Sequence, residues 1–268
     1  MRRIGNFIDG RLVDATGEGV GDVYDPATGA VQAQVVHASP ADLERAVASA
    51  AAAQVAWARV NPQRRARVMA EFARLLEANM DALARLLSSE HGKVLSDARG
   101  DLQRGLEVVE FACGIPHLLK GEYTRGAGPG IDVHSAREPL GVVAGITPFN
   151  FPAMIPMWMF APAIASGNAF ILKPSERNPS VPLRLAELMI EAGLPAGVLN
   201  VVQGGGVEAG ESIVQHDAVR AISFTGSTAV GRRIAGIAGP LLKKVSLELG
   251  GKNPTLVFAD SDWQANLD

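Results

Sequence analysis

The sequence predicts an α/β protein built on an open sheet of parallel strands, and three observations carry that reading. From Gly141 onward apolar strand-like segments alternate with amphipathic helical ones, the pattern that right-handed crossovers produce. A length of 268 residues with 47% apolar content supplies a large core and fits one or two domains. The stretch from Pro139 to Leu172 carries no charge at all, as elements buried on both faces require.

The elements follow in order. NFIDGRLV, with its Asp9-Gly10 turn, and VYDPATGAVQAQV read as short strands. Ser39-Pro40-Ala41-Asp42 reads as a capping box that opens an Ala-rich helix to about Trp57. Asn61-Pro62 starts a second helix in which Met69, Phe72, Leu75 and Leu76 share a face, continued by Leu83, Leu86 and Leu87 until Gly92 ends it. Asp97 to Cys113 repeats the helical period. GEYTRGAGPGIDVHSAREPLG reads as two extended segments around a Gly-Pro-Gly linker, a hairpin or arm leaving the body. Beyond it GVVAGIT, NAFILKP, GVLNVVQ, AISFTG and KKVSLEL are the strands. Ala153 to Ser166, Pro182 to Ala192, Val207 to Gln215 and Thr228 to Ala238 are the helices.

Charge and composition exclude several functions. A net charge of −3 with mixed signs offers no basic footprint for nucleic acid and no polybasic membrane patch. Prolines 148, 152, 156 and 162 interrupt the uncharged stretch, which argues for buried core rather than a membrane span. Cys113 is the sole cysteine, so no internal disulfide forms, and MRRIGNFIDG lacks the apolar core of a signal peptide. A cytoplasmic protein is the expectation.

Ligands of an open α/β sheet bind beyond the carboxyl ends of its strands. Polar residues and glycines collect there: Asn150 in ITPFNFPAMIP, Lys173 and Glu176 after NAFIL, Gly204, Gly206 and Gly210 after GVLNVVQ, Gly226 and Ser227 after AISFT, Glu248 closing KKVSLEL. Five such strand ends suggest a nucleotide crevice. The glycine spacing alone is a poor signal, because GxGxxxG departs from the dinucleotide fingerprint and turns are rich in glycine.

PFNFP, LKPSER, FTGST with a following Gly231, and LELGGKNP, in this order, resemble the signature blocks of the aldehyde dehydrogenase superfamily. Among its branches, EVVEFACGIPHLLKGEYT and GVVAGITPFNFPAMIPMWMF are most similar to the methylmalonate-semialdehyde dehydrogenases. The resemblance covers essentially the whole chain. It implies a Rossmann-like cofactor domain made of residues 1–120 and 139–250, an oligomerisation arm at 121–138, and the start of a catalytic domain at 251–268 whose first strand is TLVF. The activity implied is NAD-dependent oxidation of an aldehyde, a semialdehyde bearing a carboxylate such as methylmalonate or malonate semialdehyde, through a cysteine thioester.

The resemblance also assigns residues. Asn150 is the donor to the oxyanion formed at the carbonyl, its apolar flanks locking its rotamer and excluding water; the alternative is an amide that caps the helix beginning near Pro152. Lys173 and Glu176 match positions that bracket the adenosine ribose diol as donor and acceptor, against the alternative of a solvated ion pair. Glu176 would also repel a 2′-phosphate and so favours NAD over NADP. Arg177 adds a contact on the adenine side. Gly226 and Ser227, opening a helix, resemble the pyrophosphate contacts, where free amides favour anions; Gly206 and Gly210 belong to the same crevice. Thr147 and Phe149 correspond to the nicotinamide half.

Glu248 matches the general base that hydrolyses the thioester. The semialdehyde branch usually lacks this glutamate and passes its acyl group to coenzyme A, so either Glu248 hydrolyses, or it is a relic, or it is a carboxylate in a solvated turn. Arg104 matches a position proposed to hold the substrate carboxylate bidentately, with an i,i+3 pair to Glu107 as the alternative. The family's nucleophile falls beyond Asp268, and Cys113, on an amphipathic helix far upstream, reads as a small buried thiol. Two functions follow: the cofactor portion of an aldehyde dehydrogenase whose complete form is a dimer or tetramer, or a nucleotide- or partner-binding module that performs no oxidation.

Overall fold

A computed structural model of the chain describes residues 1–206 and 208–265. Five short strands come first: β1 (Arg2–Ile4), β2 (Asn6–Ile8), β3 (Arg11–Val13), β4 (Val20–Asp25) and β5 (Ala30–Val36). Asp9 and Gly10, both at positive φ (55° and 74°), turn β2 into β3, the conformation a tight hairpin needs to match strand twist. Strands β4 and β5 pair antiparallel and β1 joins β5 in parallel, a three-stranded sheet of its own.

Three helices follow, and each boundary has a local cause. In α1 (Pro40–Arg59) the Ser39 side chain accepts from the Asp42 amide while Asp42 reaches back to the Ser39 amide, the expected capping box. In α2 (Pro62–His91) Asn61 accepts from the Arg64 amide, and Gly92, at φ 85°, ends the helix in the left-handed conformation. Then comes α3 (Leu95–Cys113), followed by the single turn α4 (Ile115–Leu118). The predicted arm is a two-stranded hairpin, β6 (Tyr123–Gly128) and β7 (Ile131–His134), with Tyr123, Ile131 and Val133 all exposed.

The alternating half gives β8 (Val142–Ile146), α5 (Met154–Ala165), β9 (Ala169–Lys173), α6 (Ser180–Glu191), β10 (Leu199–Val201), α7 (Glu208–Gln215), β11 (Val219–Thr225), α8 (Thr228–Ala238) and β12 (Lys244–Glu248). The helix expected from Val207 begins on a residue outside those described. The sheet runs β12-β11-β8-β9-β10-β2-β3. Its first five strands are parallel, but the N-terminal hairpin adds β2 and β3 antiparallel at one edge, so the sheet is mixed rather than wholly parallel. That is a correction to a purely parallel sheet, and its cause is a hydrogen-bonding edge on β10 that an N-terminal strand covers.

Strand order reverses between β8 and β11, because β8, β9 and β10 progress one way and the chain then crosses back to β11. A crevice is forced open at the carboxyl ends there. Strands β8 and β9 are buried along their whole length. Under them Phe160 of α5 packs between Phe72 and Phe170, with ring centroids 5.9 and 6.5 Å away. A β-carbon at Gly105 would lie 3.3 Å from Met154 Cα and would displace the end of the Met157 side chain, so glycine here eases the close approach of α3 to α5.

TLVF at 255–258 forms no strand, contrary to expectation. A strand needs a hydrogen-bonding neighbour, and none of the described residues pairs with it; Leu256, Val257 and Phe258 are exposed. The expected domain segment 251–268 ends in three residues outside those described.

Candidate functional site

The reversal point holds a cleft of about 500 Å³. Its walls are the end of β8 (Ile146, Thr147, Pro148, Phe149), Lys173, Ser175 and Glu176 after β9, Gly206 and Gly210 at α7, Phe224 to Ser227 at the end of β11, and one side of α8. Eight residues expected from the sequence therefore converge: Thr147, Phe149, Lys173, Glu176, Gly206, Gly210, Gly226 and Ser227. They converge because parallel strands start level and end level, which places sequence-distant termini along one line.

Lys173 is the most constrained member. It is 2% exposed, and its Nζ donates to Glu176 Oε2 at 3.2 Å. Burial pulls its ammonium below the ordinary value, with the Glu176 charge opposing part of the shift. Burial pushes the half-exposed Glu176 the other way, yet the Lys173 charge and local hydrogen bonds hold it below the usual carboxylate range. The solvated surface pair considered from sequence is excluded, since the cation is inside. Thr147 anchors the β8 end: its amide donates to the Lys173 carbonyl at 3.1 Å, while its buried Oγ1 has no hydrogen-bond partner.

Two expectations at this cleft need correction. Gly226 was to offer a free amide, but its N–H donates to the Glu248 carbonyl at 3.1 Å, because pairing between β11 and β12 continues one residue past the strand. Glycine is still required, since a β-carbon there would meet the Phe224 ring at 2.5 Å. Ser227 Oγ accepts from the Val230 amide and is the cap of α8. Arg177 lies outside the cleft, its guanidinium 4.7 Å from the centroid of the Phe149 ring, so it is spent on the back of that wall.

Asn150 is exposed rather than sealed by its phenylalanine neighbours, of which Phe149 is itself 46% exposed. It does not cap α5 either. Asp101 Oδ1, from α3, accepts from the Met154 amide at 2.7 Å, and this buried carboxylate also meets Lys93 Nζ at 3.4 Å. Lys93 in turn donates to the Asn150 carbonyl at 2.9 Å and sits 4.4 Å from the Phe151 ring centroid. On the other flank Asn178 Nδ2 donates to the Phe149 carbonyl at 2.6 Å. Sequence reasoning missed Lys93, Asp101 and Asn178. The available signal was a carboxylate at a core position of α3, where Ala98, Leu102 and Leu106 are buried beside it.

Glu248 is exposed at the end of the edge strand β12 and does not line the cleft. Arg104 is exposed on α3; its carbonyl accepts from Trp158 Nε1 at 3.1 Å, and no ion pair with Glu107 forms. Cys113 lies half-buried with its Sγ donating to the Val109 carbonyl at 3.4 Å. Burial, reinforced by the Glu110 charge, pushes its thiol up, the opposite of an activated nucleophile. Among the described residues no cluster of metal-ligating side chains occurs, and no helix is long and apolar enough to cross a membrane.

Comparison with known proteins follows the geometry. The sequence profile described as "Aldehyde dehydrogenase family" matches residues 12–268. A malonate-semialdehyde dehydrogenase of Pseudomonas aeruginosa is 48% identical over 262 residues, covering 98% of this chain and 52% of the relative. A crystal structure of a candidate methylmalonate-semialdehyde dehydrogenase from Sinorhizobium meliloti, complexed with NAD, superposes with a TM-score of 0.92 at 60% identity, over 94% of this chain and 51% of that one. The methylmalonate-semialdehyde dehydrogenase of Oceanimonas doudoroffii gives 0.92 at 49%, again over 94% and 51%. The chain spans about half the length of the curated relatives it matches.

Proposed function

Because the chain belongs to the aldehyde dehydrogenase family, we propose that it is the NAD-binding portion of an enzyme that oxidises a carboxylated semialdehyde such as malonate or methylmalonate semialdehyde. The single observation that carries the reading is the convergence of eight expected residues on one cleft at the reversal of strand order. The chemistry of the donor set fits a dinucleotide. A buried ammonium beside a carboxylate suits a vicinal diol, a capped helix N-terminus suits a pyrophosphate, and the unpartnered Thr147 Oγ1 offers a hydrogen bond to a carboxamide.

When bound, NAD supplies the hydride acceptor. The chain's own residues bind and orient. Lys173 donates to one ribose hydroxyl and Glu176 accepts from the other. The Thr228 and Ala229 amides that open α8, rather than those of Gly226 and Val230, would hold the diphosphate. Thr147 and Phe149 wall the nicotinamide end, and Gly206 and Gly210 keep the opposite wall low. Arg177 holds Phe149 from behind.

Asn150 sits one residue beyond this wall and donates its side-chain amide to the oxygen that gains charge as the aldehyde carbonyl is attacked; such a donor contributes about 2.7–4 kcal/mol. The attacking thiolate is not Cys113, whose raised thiol and helical position disqualify it. Arg104 takes the substrate carboxylate, for which its exposed guanidinium fork is suited. Glu248 activates water on the thioester, with coenzyme A as the alternative acyl acceptor. The hairpin of β6 and β7 is the contact arm of a homo-oligomer.

Isothermal titration of this 268-residue chain with NAD is the test. Saturable one-site binding is expected, with no aldehyde-dependent NADH formation. Absence of NAD binding refutes the cofactor reading and favours a partner-binding module; robust turnover by the chain alone refutes the assignment of the nucleophile.

A further inference from the structure

The large sheet ends on one side in β3, and nothing above gives that edge a task. Strand β3 pairs with β2 alone among the described residues. Because the two-residue Asp9-Gly10 loop makes Ile8 and Arg11 a hydrogen-bonded pair, the next pair, Phe7 with Leu12, is a non-bonded one. The N–H and C=O of Leu12 therefore point away from β2, and Leu12 is 56% exposed. An outward donor and acceptor on an exposed edge are a template for another strand.

Two grooves flank this edge, one on each face of the sheet, of about 550 and 450 Å³. Of the three residues of β3, Leu12 lines the first alone, while Arg11 and Val13 reach the second, as strand alternation requires. The first groove has Leu86 and Leu183 in its walls and is basic: Arg2, Arg3, Arg11 and Arg184 line it against two carboxylates, Asp14 and Glu187. Glu187 is already held by Arg184 at 2.9 Å, and Arg2 is held by Glu90 at 3.2 Å, but Arg3 is exposed and makes no ion pair among the described residues. The second groove is narrow-walled and apolar, with Ala48, Ala52 and Ala53 of α1 facing Ala196.

We propose that β3 receives an extended peptide segment of a partner protein as an eighth strand of the sheet, with carboxylates on one face and small aliphatic side chains on the other. Added antiparallel, the residue opposite Leu12 exchanges both backbone hydrogen bonds with it and shares its face, so its carboxylate enters the arginine-lined groove. The residues on either side point the other way, into the alanine-lined groove, which has room for valine but none for a long side chain. A second copy of this chain is the poorer occupant. Two β3 edges laid antiparallel would bring Arg2, Arg3 and Arg184 of one copy against the same residues of the other on one face of the sheet, and like charges so placed repel.

Isothermal titration of the 268-residue chain with acetyl-Glu-Val-Glu-Val-Glu-Val-Glu-amide tests this. Saturable binding with a Kd below about 1 mM is expected, together with slowed hydrogen exchange at the Leu12 amide, and the same peptide with lysine for glutamate is expected not to bind. Leu12→Pro removes the outward N–H without touching the bonds to β2 and is expected to weaken binding at least about tenfold. Should that variant fail to fold, the peptide N-methylated at its central glutamate removes the reciprocal bond on the wild-type chain, with the same loss expected. No binding of the glutamate peptide, equal binding of the lysine peptide, or binding untouched by either the proline or the N-methyl group overturns the proposal. A dimer of the peptide-free chain that Leu12→Pro abolishes also overturns it, because the edge would then belong to a second copy.

Discussion

The two ends of the cleft are built by different means. At the β8 end, the segment from Phe149 to Met154 is held by hydrogen bonds with Asn178 and Lys93, which donate to it, and with Asp101, which accepts from it, reaching it from the β9–α6 loop, the α2–α3 corner and α3. At the other end, α7 and α8 pack against each other and carry, among the described residues, one ion pair between them, Glu211 with Arg233. Reaction chemistry needs a fixed reference point. The difference teaches where preorganisation is concentrated: Asn150 is exposed and unconstrained by its immediate neighbours, and its backbone is fixed from 57 residues away.

Breaking the rigid end should cost the most. Asp101→Ala strips the Met154 amide of its acceptor and leaves Lys93 without its carboxylate, both in a buried setting, and is expected to lower stability by about 3–5 kcal/mol in chemical denaturation. A loss no larger than that of an exposed ion pair would mean that α5 is capped by other means. Lys93→Met should cost less, roughly 1.5–3 kcal/mol, because the charge-assisted bonds to Asn150 and Asp101 and the contact with the Phe151 ring vanish while Asp101 keeps the Met154 amide. Its signature is local: amide hydrogen exchange across residues 151–154 accelerates while that of β9 stays slow.

Lys173 sharpens the comparison from the middle of the cleft. Lys173→Met is expected to weaken NAD binding at least about tenfold, or roughly 1.4 kcal/mol, yet to leave the melting temperature unchanged or higher, since a buried charge is removed. The pH dependence follows from the direction of its shift. A lysine whose folded value is depressed binds fewer protons folded than unfolded, so stability rises with pH between the depressed value and the ordinary ammonium value near 10.4. The methionine variant should lose that rise. Smallest of all is the stability effect at the loose end: Arg233→Leu, where the arginine is 57% exposed, is expected to change unfolding free energy by about 0.2–1 kcal/mol. A cost as large as that of Asp101→Ala would erase the contrast between the two ends.

Much of this molecule was legible before any coordinates. Capping by Ser39 and Asp42, the start of α2 at Asn61 and its end at Gly92 all rest on groups within a few residues of each other, and such local chemistry is written in adjacent letters. The convergence of Thr147, Lys173, Gly210 and Ser227 was legible for another reason: alternation of strands and helices implies level strand ends, and ligands collect there. Arg177 was misplaced because its partner is the Phe149 ring, 28 positions away in sequence and on another strand end. The Gly226 amide was misread because β12 takes it, which no spacing within FTGST reveals.

By itself, then, the sequence determined the order of elements, the depth of the core and eight of the residues that line the cleft, since periodicity and capping act over one or two turns of chain. Only the tertiary structure decided that Asp101 caps α5, that Lys93 pins the loop of Asn150, that Lys173 is sealed from water and that Glu211 meets Arg233. Each of these is a contact between groups brought together by how helices cross and strands align. The free energy of such a contact depends on the water excluded around it, and exclusion exists only once the layers have packed.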